Sequence, residues 1–237
     1  MREIIRQGLI DLGLSRRIPS GAPEHLTRYA LMLLEKNAVM NLTAITEPDQ
    51  VAQLHMLDCA ALLTVCDFEG KRLLDVGTGA GFPGMVLKIL VPRLDVTLLD
   101  SLNKRLDWLN EVSAALALRD IRTVHARAEE TARDPAFREQ FDFVTSRAVA
   151  DLRMLCELCL PYVKTGGEML AMKSTRSTEE IDAAGRAVSI LGGQMLPPVD
   201  YTIPGTDITH RLVRIRKIAP TPQKYPRRFA QIKKSPL

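Results

Sequence analysis

The sequence predicts an α/β fold: a Rossmann-like, mostly parallel sheet with an antiparallel last strand, preceded by an N-terminal helical cap. Three observations carry this. From Lys71 onward strand-like apolar runs alternate with helix-like segments, a glycine-rich loop follows the first of those runs, and the last two runs have no helix between them.

In chain order, residues 1–68 read as a helical extension. Leu26, Tyr29, Ala30, Leu33 and Leu34 recur at helical spacing after Pro23, Asn37 and Asn41 suit the turn that ends the run, and a second helix follows over 48–65. Residues 69–218 form the sheet domain and 219–237 a basic tail. Strands are predicted at 71–76, 95–100, 121–125, 141–146 and 168–173, with helices at 83–91, 103–118, 129–133, 151–162 and 178–191. The last helix opens on a capping box, Ser177 with Glu180, and ends at Gly192 and Gly193. Runs 194–203 and 209–218 then form a hairpin about Pro204 and Gly205. In the final run Val213 and Ile215 alternate with Arg214 and Arg216, so one face is apolar and the other basic.

The chain is 46% hydrophobic and 25% charged over 237 residues, enough to bury a sizeable core. No apolar run nears the roughly 18 residues of a membrane span, and Arg2, Glu3, Arg6 and Asp11 interrupt any export signal, so a cytoplasmic protein without membrane contact is expected. Four cysteines are too few for a disulfide scaffold. Cys156 and Cys159 form a CxxC, but with Leu152, Leu155 and Leu160 they make one apolar helical stripe, which reads as two buried, inert thiols; no second pair completes a metal site. Nine Lys or Arg and no acid fall between His210 and Leu237, against 23 basic and 28 acidic residues elsewhere, a net −5 there. A basic end on a mildly acidic chain points at a polyanion.

The glycine loop carries the chemistry. A short buried strand, Leu73 to Val76, ends beside Asp75 and is followed by Gly77, Gly79, Gly81 and Gly84; strand, glycine loop and helix in that order suit a nucleotide-bearing ligand. Gly79, Gly81 and Gly84 satisfy GxGxxG, a weak sign of a dinucleotide, while the frame from Asp75 through Gly81 resembles the first motif of class I S-adenosylmethionine-dependent methyltransferases and fits the strand end better. Asp100 ends the next strand, where a carboxylate either binds both ribose hydroxyls or caps the following helix. After the fourth strand, Thr145, Ser146, Arg147, Ala148 and Val149 contain neither the Asn/Asp-Pro-Pro-aromatic device for exocyclic amines nor a Pro-Cys nucleophile. An acceptor with its own lone pair, such as guanine N7, needs neither.

The motifs NLTAI (41–45), His55 to Asp58, LLDVGTGAGFPG (73–84), ARAEE (126–130), TSRAVADL (145–152), HRLV (210–213) and KYPRR (224–228) together resemble the bacterial 16S rRNA guanine-N7 methyltransferases, also called glucose-inhibited division protein B. The resemblance covers nearly the whole chain. It implies S-adenosylmethionine as cofactor and the small ribosomal subunit as partner, with methylation of the guanine at nucleotide 527 of 16S rRNA by a monomer. It places Gly77, Gly79 and Phe82 against the cofactor, the Ala128–Glu129 backbone at the adenine, Asp100 and Ser101 at the ribose, and Arg147 in the pocket beside the substrate. No catalytic residue is assigned beyond Arg147 as a positioning candidate. Lys173, Arg211, Lys224, Arg227 and Arg228 are expected to meet RNA, with Tyr225 as a stacking surface among them. His55 and Asp58, three apart, share a helix face and read as a hydrogen-bonded pair, structural or catalytic. Phe229, Ala230 and Gln231 stand where the family tail continues with Gly, Pro and basic residues. Two other readings remain at this point: a non-catalytic ribosome assembly factor that binds the cofactor, and a nicotinamide-dependent oxidoreductase.

Overall fold

The computed structural model describes residues 1–147 and 150–237; positions 148 and 149, inside the 145–152 motif, lie outside the described residues. Strands β1 (Arg72–Val76), β2 (Asp95–Asp100), β3 (Ile121–His125), β4 (Phe141–Arg147), β5 (Val163–Ser174), β6 (Gly193–Met195), β7 (Val199–Thr202) and β8 (Thr209–Lys217) form one sheet. Its order is β3-β2-β1-β4-β5-β8-β6, with β7 also on β8. Pairs among β1 to β5 are parallel, and β8 runs antiparallel to β5, Met172 facing Leu212. Strand order reverses between β1 and β4, and at such a switch point a crevice opens beyond the carboxyl ends of the strands.

Helices α1 (Arg2–Asp11), α2 (Ala22–Met40), α4 (Gly84–Leu90) and α5 (Asn103–Ala115) cover one face; α7 (Leu152–Cys159) and α8 (Thr178–Ile190) cover the other. Between α2 and β1 runs a composite helix, α3, with α-helical Pro48–Val51, π-helical Ala52–Leu57, α-helical Asp58–Ala60 and 3-10 Ala61–Thr64. A single turn, α6 (Ala128–Thr131), follows β3, and α9 (Phe229–Lys234) lies near the C-terminus. The two-residue period of a strand divides the core between faces. Leu73, Leu98, Leu170 and Leu212 pack with Leu26, Leu33, Val86 and Trp108; Leu74, Leu99, Met169 and Val213 pack with Leu155, Cys156, Cys159 and Val188. The helical extension therefore shares the core of the sheet, and Trp108 packs within it. Both CxxC thiols are fully buried, and burial pushes their pKa values up.

The structure refines the expected elements in places. Run 194–203 is two strands, because Pro197 and Pro198 have no N–H to donate; β6 and β7 pair separately along the outer edge of β8. Of the two asparagines that suit the end of α2, Asn41 makes it, in the left-handed region (φ 49°), while Asn37 lies within the helix. The Ser177–Glu180 capping box does not form. Glu180 instead accepts from Leu152 N (2.5 Å) and Lys173 Nζ (2.6 Å), leaving Ser177 Oγ buried without a partner. Finally, the C-terminal tail is packed: Tyr225 and Ile232 are buried, and the Arg138 guanidinium donates to the carbonyls of Thr221 (2.7 Å) and Tyr225 (2.9 Å).

Candidate functional site

One cavity of about 940 Å3 opens at the carboxyl edge of the sheet, from the glycine loop across to β8. Its centre is the turn after β1. Gly77, Gly79 and Gly81 have φ of 67°, 58° and 92°, a region where a Cβ is strained. They divide by surroundings. A Cβ on Gly79 would meet nothing closer than 3.9 Å, whereas on Gly81 it would sit 2.6 Å from the Tyr29 hydroxyl and on Gly84 2.6 Å from Leu98. Gly79 thus leaves backbone open to a ligand, and Gly77 lines the cavity beside it, while Gly81 and Gly84 admit helix packing; of the GxGxxG frame only Gly79 lines the cavity. Asp75 closes the loop from beneath. Fully buried, it accepts from Thr78 Oγ1 (2.7 Å), Gly84 N (3.0 Å) and Thr145 Oγ1 (3.1 Å), and burial raises its pKa to about 6.

Both alternatives for Asp100 have a structural counterpart. It lines the cavity, and it caps the following turn: Oδ1 accepts from Leu102 N (2.9 Å) and Oδ2 from Gly79 N (2.9 Å), so it also fixes the glycine loop. Ser101 is exposed beside it. Beyond β3, Ala128 and Glu129 line the same wall, with the Ala128 carbonyl held by the Tyr162 hydroxyl (2.6 Å).

The opposite wall, at the ends of β4, β5 and β8, is built from charge. Arg147 ends β4 with its guanidinium over the Phe82 ring, 4.7 Å from the centroid, and His55 stacks on Phe82 at 4.5 Å. Arg147 donates to Leu54 O (3.1 Å), Asp58 Oδ2 (3.3 Å) and His55 Nδ1 (3.0 Å). His55 Nδ1 also lies 3.1 Å from the Leu54 carbonyl, and Nε2 lies 2.8 Å from Thr43 Oγ1, so both ring nitrogens are engaged. Burial and the Arg147 charge keep this imidazole neutral, its pKa lowered to about 4. Asp58, 1% exposed, also accepts from the Tyr201 hydroxyl (2.8 Å) and His210 Nδ1 (2.8 Å), and that contact raises the His210 pKa. The expected His55–Asp58 hydrogen bond is thus replaced by a link through Arg147. The cause is the π-helical stretch, whose wider turn takes residues three apart off a common face. Thr43, Tyr201 and His210 were missed as site residues. Thr43 and His210 lie inside motifs 41–45 and 210–213, which flagged them without a role; Tyr201 carries no local signal.

The basic residues expected at RNA mostly have protein partners. Arg211 forks onto Asp200 (2.6 and 2.8 Å), Lys173 holds Ala150 O (2.8 Å) and Glu180, and Arg214 and Arg216 share Glu168. Arg227 is the clearest departure: its backbone N (2.7 Å) and guanidinium (2.9 and 2.6 Å) bind fully buried Glu157, so it anchors the tail to α7. Among the described residues Lys224, Arg228, Lys233 and Lys234 form no ion pair and are exposed, with Lys224 Nζ 5.3 Å from the Tyr225 ring. No group of three potential metal ligands occurs among the described residues, and no described helix is long and apolar enough to cross a membrane.

The cavity fits S-adenosylmethionine: open glycine backbone, an acid at the end of β2, polar backbone after β3, and an aromatic floor covered by the Arg147 guanidinium, on a sheet whose last strand is reversed. Fold and site together define a class I S-adenosylmethionine-dependent methyltransferase. Among solved structures, the S-adenosylmethionine-dependent O-methyltransferase of Thermotoga maritima shares the fold, with TM-score 0.53 and 15% identity over 80% of this chain and 72% of its own. The family model described as rRNA small subunit methyltransferase G matches residues 22–200. Ribosomal RNA small subunit methyltransferase G of Lachnoclostridium phytofermentans is 47% identical over 98% of this chain and 95% of its own length. That of Acetivibrio thermocellus is 42% identical over 100% and 97%. The chain belongs to the rRNA small subunit methyltransferase G family and is an S-adenosylmethionine-dependent rRNA methyltransferase.

Proposed function

We propose that the acceptor is N7 of a guanine in 16S rRNA, at nucleotide 527 by the resemblance of the motifs, and that a single chain acts in the cytoplasm. The observation that carries this reading is the state of Asp58, the carboxylate lining the β4–β8 side of the cavity. It is buried and already accepts from Arg147, Tyr201 and His210. With its oxygens so engaged, and with His55 Nδ1 occupied by Arg147, these groups are poorly placed to strip a proton from an amine or hydroxyl. Guanine N7 has an in-plane lone pair and no proton to lose, so alignment and electrostatics suffice.

When bound, S-adenosylmethionine supplies a methyl group on a positively charged sulfur, open to in-line displacement. The chain's own residues orient and enclose. Gly77 and Gly79 give backbone contact, Asp100 and Ser101 take the ribose side, and Ala128 and Glu129 take the base. Phe82, 5% exposed between its neighbours, keeps water from the centre, and Arg147 offers its charge to an anionic group at the β4 end. Lys224, Arg228, Lys233 and Lys234 carry phosphate contact. The test is methyl transfer to 16S rRNA and to small subunits, followed by borohydride and aniline treatment, which cleaves RNA at N7-methylguanine. Strand scission at the single expected guanine supports the reading; methylated RNA that resists scission overturns it.

A further inference from the structure

Phe229 has no role in the site as described. It is the first residue of α9, 36% exposed, and it borders the main cavity. Its position in that cavity is set by its neighbours in the chain. Arg227 is locked to Glu157, the Arg133 guanidinium donates to Pro226 O (2.5 Å), and Ile232 is buried, so both sides of Phe229 are pinned. Glu157 precedes Leu158, which also borders the cavity, and Arg133 follows α6, where Ala128 and Glu129 lie. Phe229 therefore belongs to the wall beyond β3, on the side of the cavity where Ala128 and Glu129 lie.

Parallel strands lie about 4.8 Å apart, so the ends of β1 and β3, with β2 between them, are separated by about 10 Å, the span of a nucleoside. A ligand with its amino-acid end at the glycine loop and its sugar at Asp100 has its base at this wall. An uncharged ring held there by a pinned segment suits a flat aromatic partner better than it suits phosphate.

We propose that Phe229 is a cofactor-binding residue whose ring packs on the purine of S-adenosylmethionine. The C-terminal segment then completes the methyl-donor site, with the Arg227–Glu157 pair holding it in place. The proposal rests on the assignment of the base to the wall after β3.

Calorimetric titration of S-adenosylhomocysteine and of adenosine into the full-length chain tests it, comparing wild type with Phe229→Ala, Phe229→Leu and Phe229→Tyr, each checked for unchanged melting. Loss of the ring should weaken both ligands by the same factor, about tenfold, with Phe229→Leu also impaired and Phe229→Tyr near wild type. Equal affinity of wild type and Phe229→Ala for both ligands would overturn the proposal. So would unchanged S-adenosylhomocysteine affinity with a raised KM for rRNA, which would assign the ring to the nucleic acid. Wild type that binds neither ligand would instead overturn the cofactor site itself, and this inference with it.

Discussion

The two walls of the cavity are made in different ways. The wall at β1 is backbone: a left-handed glycine turn clamped by Asp75, whose partners Thr78 and Gly84 lie within nine residues of it. The wall at β4, β5 and β8 is side chains, and its central contact joins Asp58 to His210, 152 positions apart. The first depends on what glycine permits. The second depends on every buried charge finding its opposite, so an error in one member exposes all the others.

The sharpest way to break the first wall is Gly81→Ala. The left-handed conformation costs about 1–2 kcal/mol for a residue with a Cβ, and the clash with Tyr29 and Leu109 adds about 1–3 kcal/mol. A loss of about 4 kcal/mol is expected in urea unfolding. Gly79→Ala, with the same backbone strain and open space, should lose only about 1 kcal/mol while weakening S-adenosylhomocysteine binding. Equal losses for the two variants would erase the division between cavity-facing and packing glycines. On the second wall, Arg147→Ala leaves Asp58 buried against Tyr201 and His210 without its cation and should cost about 3 kcal/mol. Adding Asp58→Ala to it should cost less than the sum of the two single losses, because the two residues stabilise one another.

That wall also titrates. The folded state holds the His55 pKa at about 4, against an ordinary 6.5, by burial and by Arg147. A lowered folded value means that stability is complete above about pH 6.5 and is lost as pH falls toward 4, about 2 kcal/mol between pH 7.5 and 5. His210 carries the opposite sign: Asp58 raises its pKa, so its contribution is present at low pH and is lost as pH rises through its folded value. Urea midpoints at the two pH values should show a slope that His55→Asn reduces and that His210→Asn steepens.

The contrast between the walls also explains what the sequence revealed. Strand ends, the glycine loop and the reversed last strand are local patterns, and each lies close to its expected place. That Arg147 and Asp100 line the cavity is legible because position at a strand's end is itself local. The network was not, since Tyr201 is an ordinary strand tyrosine until β7 folds back over α3. A π-helical stretch leaves no mark in apolar periodicity, so the spacing of His55 and Asp58 suggests a pairing that the wider turn does not make. The Arg227–Glu157 pair is hidden for a related reason: a run of basic residues shows the charge, while Glu157, which takes it up, is 70 positions away inside a helix that reads as apolar.

The smallest expected effect separates the two tail arginines. Arg227→Ala removes the partner of a fully buried carboxylate, and about 1–2 kcal/mol of stability should go with it. Arg228 is exposed and without an ion pair among the described residues, so Arg228→Ala should change stability by no more than about 0.5 kcal/mol. Its effect belongs in the salt dependence of rRNA binding. Each phosphate contact releases condensed counterion, so the slope of log affinity against log salt should fall by about 0.7–1 for Arg228→Ala. Arg227→Ala, at temperatures where it stays folded, should leave that slope unchanged. A slope that falls for Arg227→Ala and holds for Arg228→Ala would mean that Glu157 releases its arginine to RNA, and that the tail anchor is itself part of the binding surface.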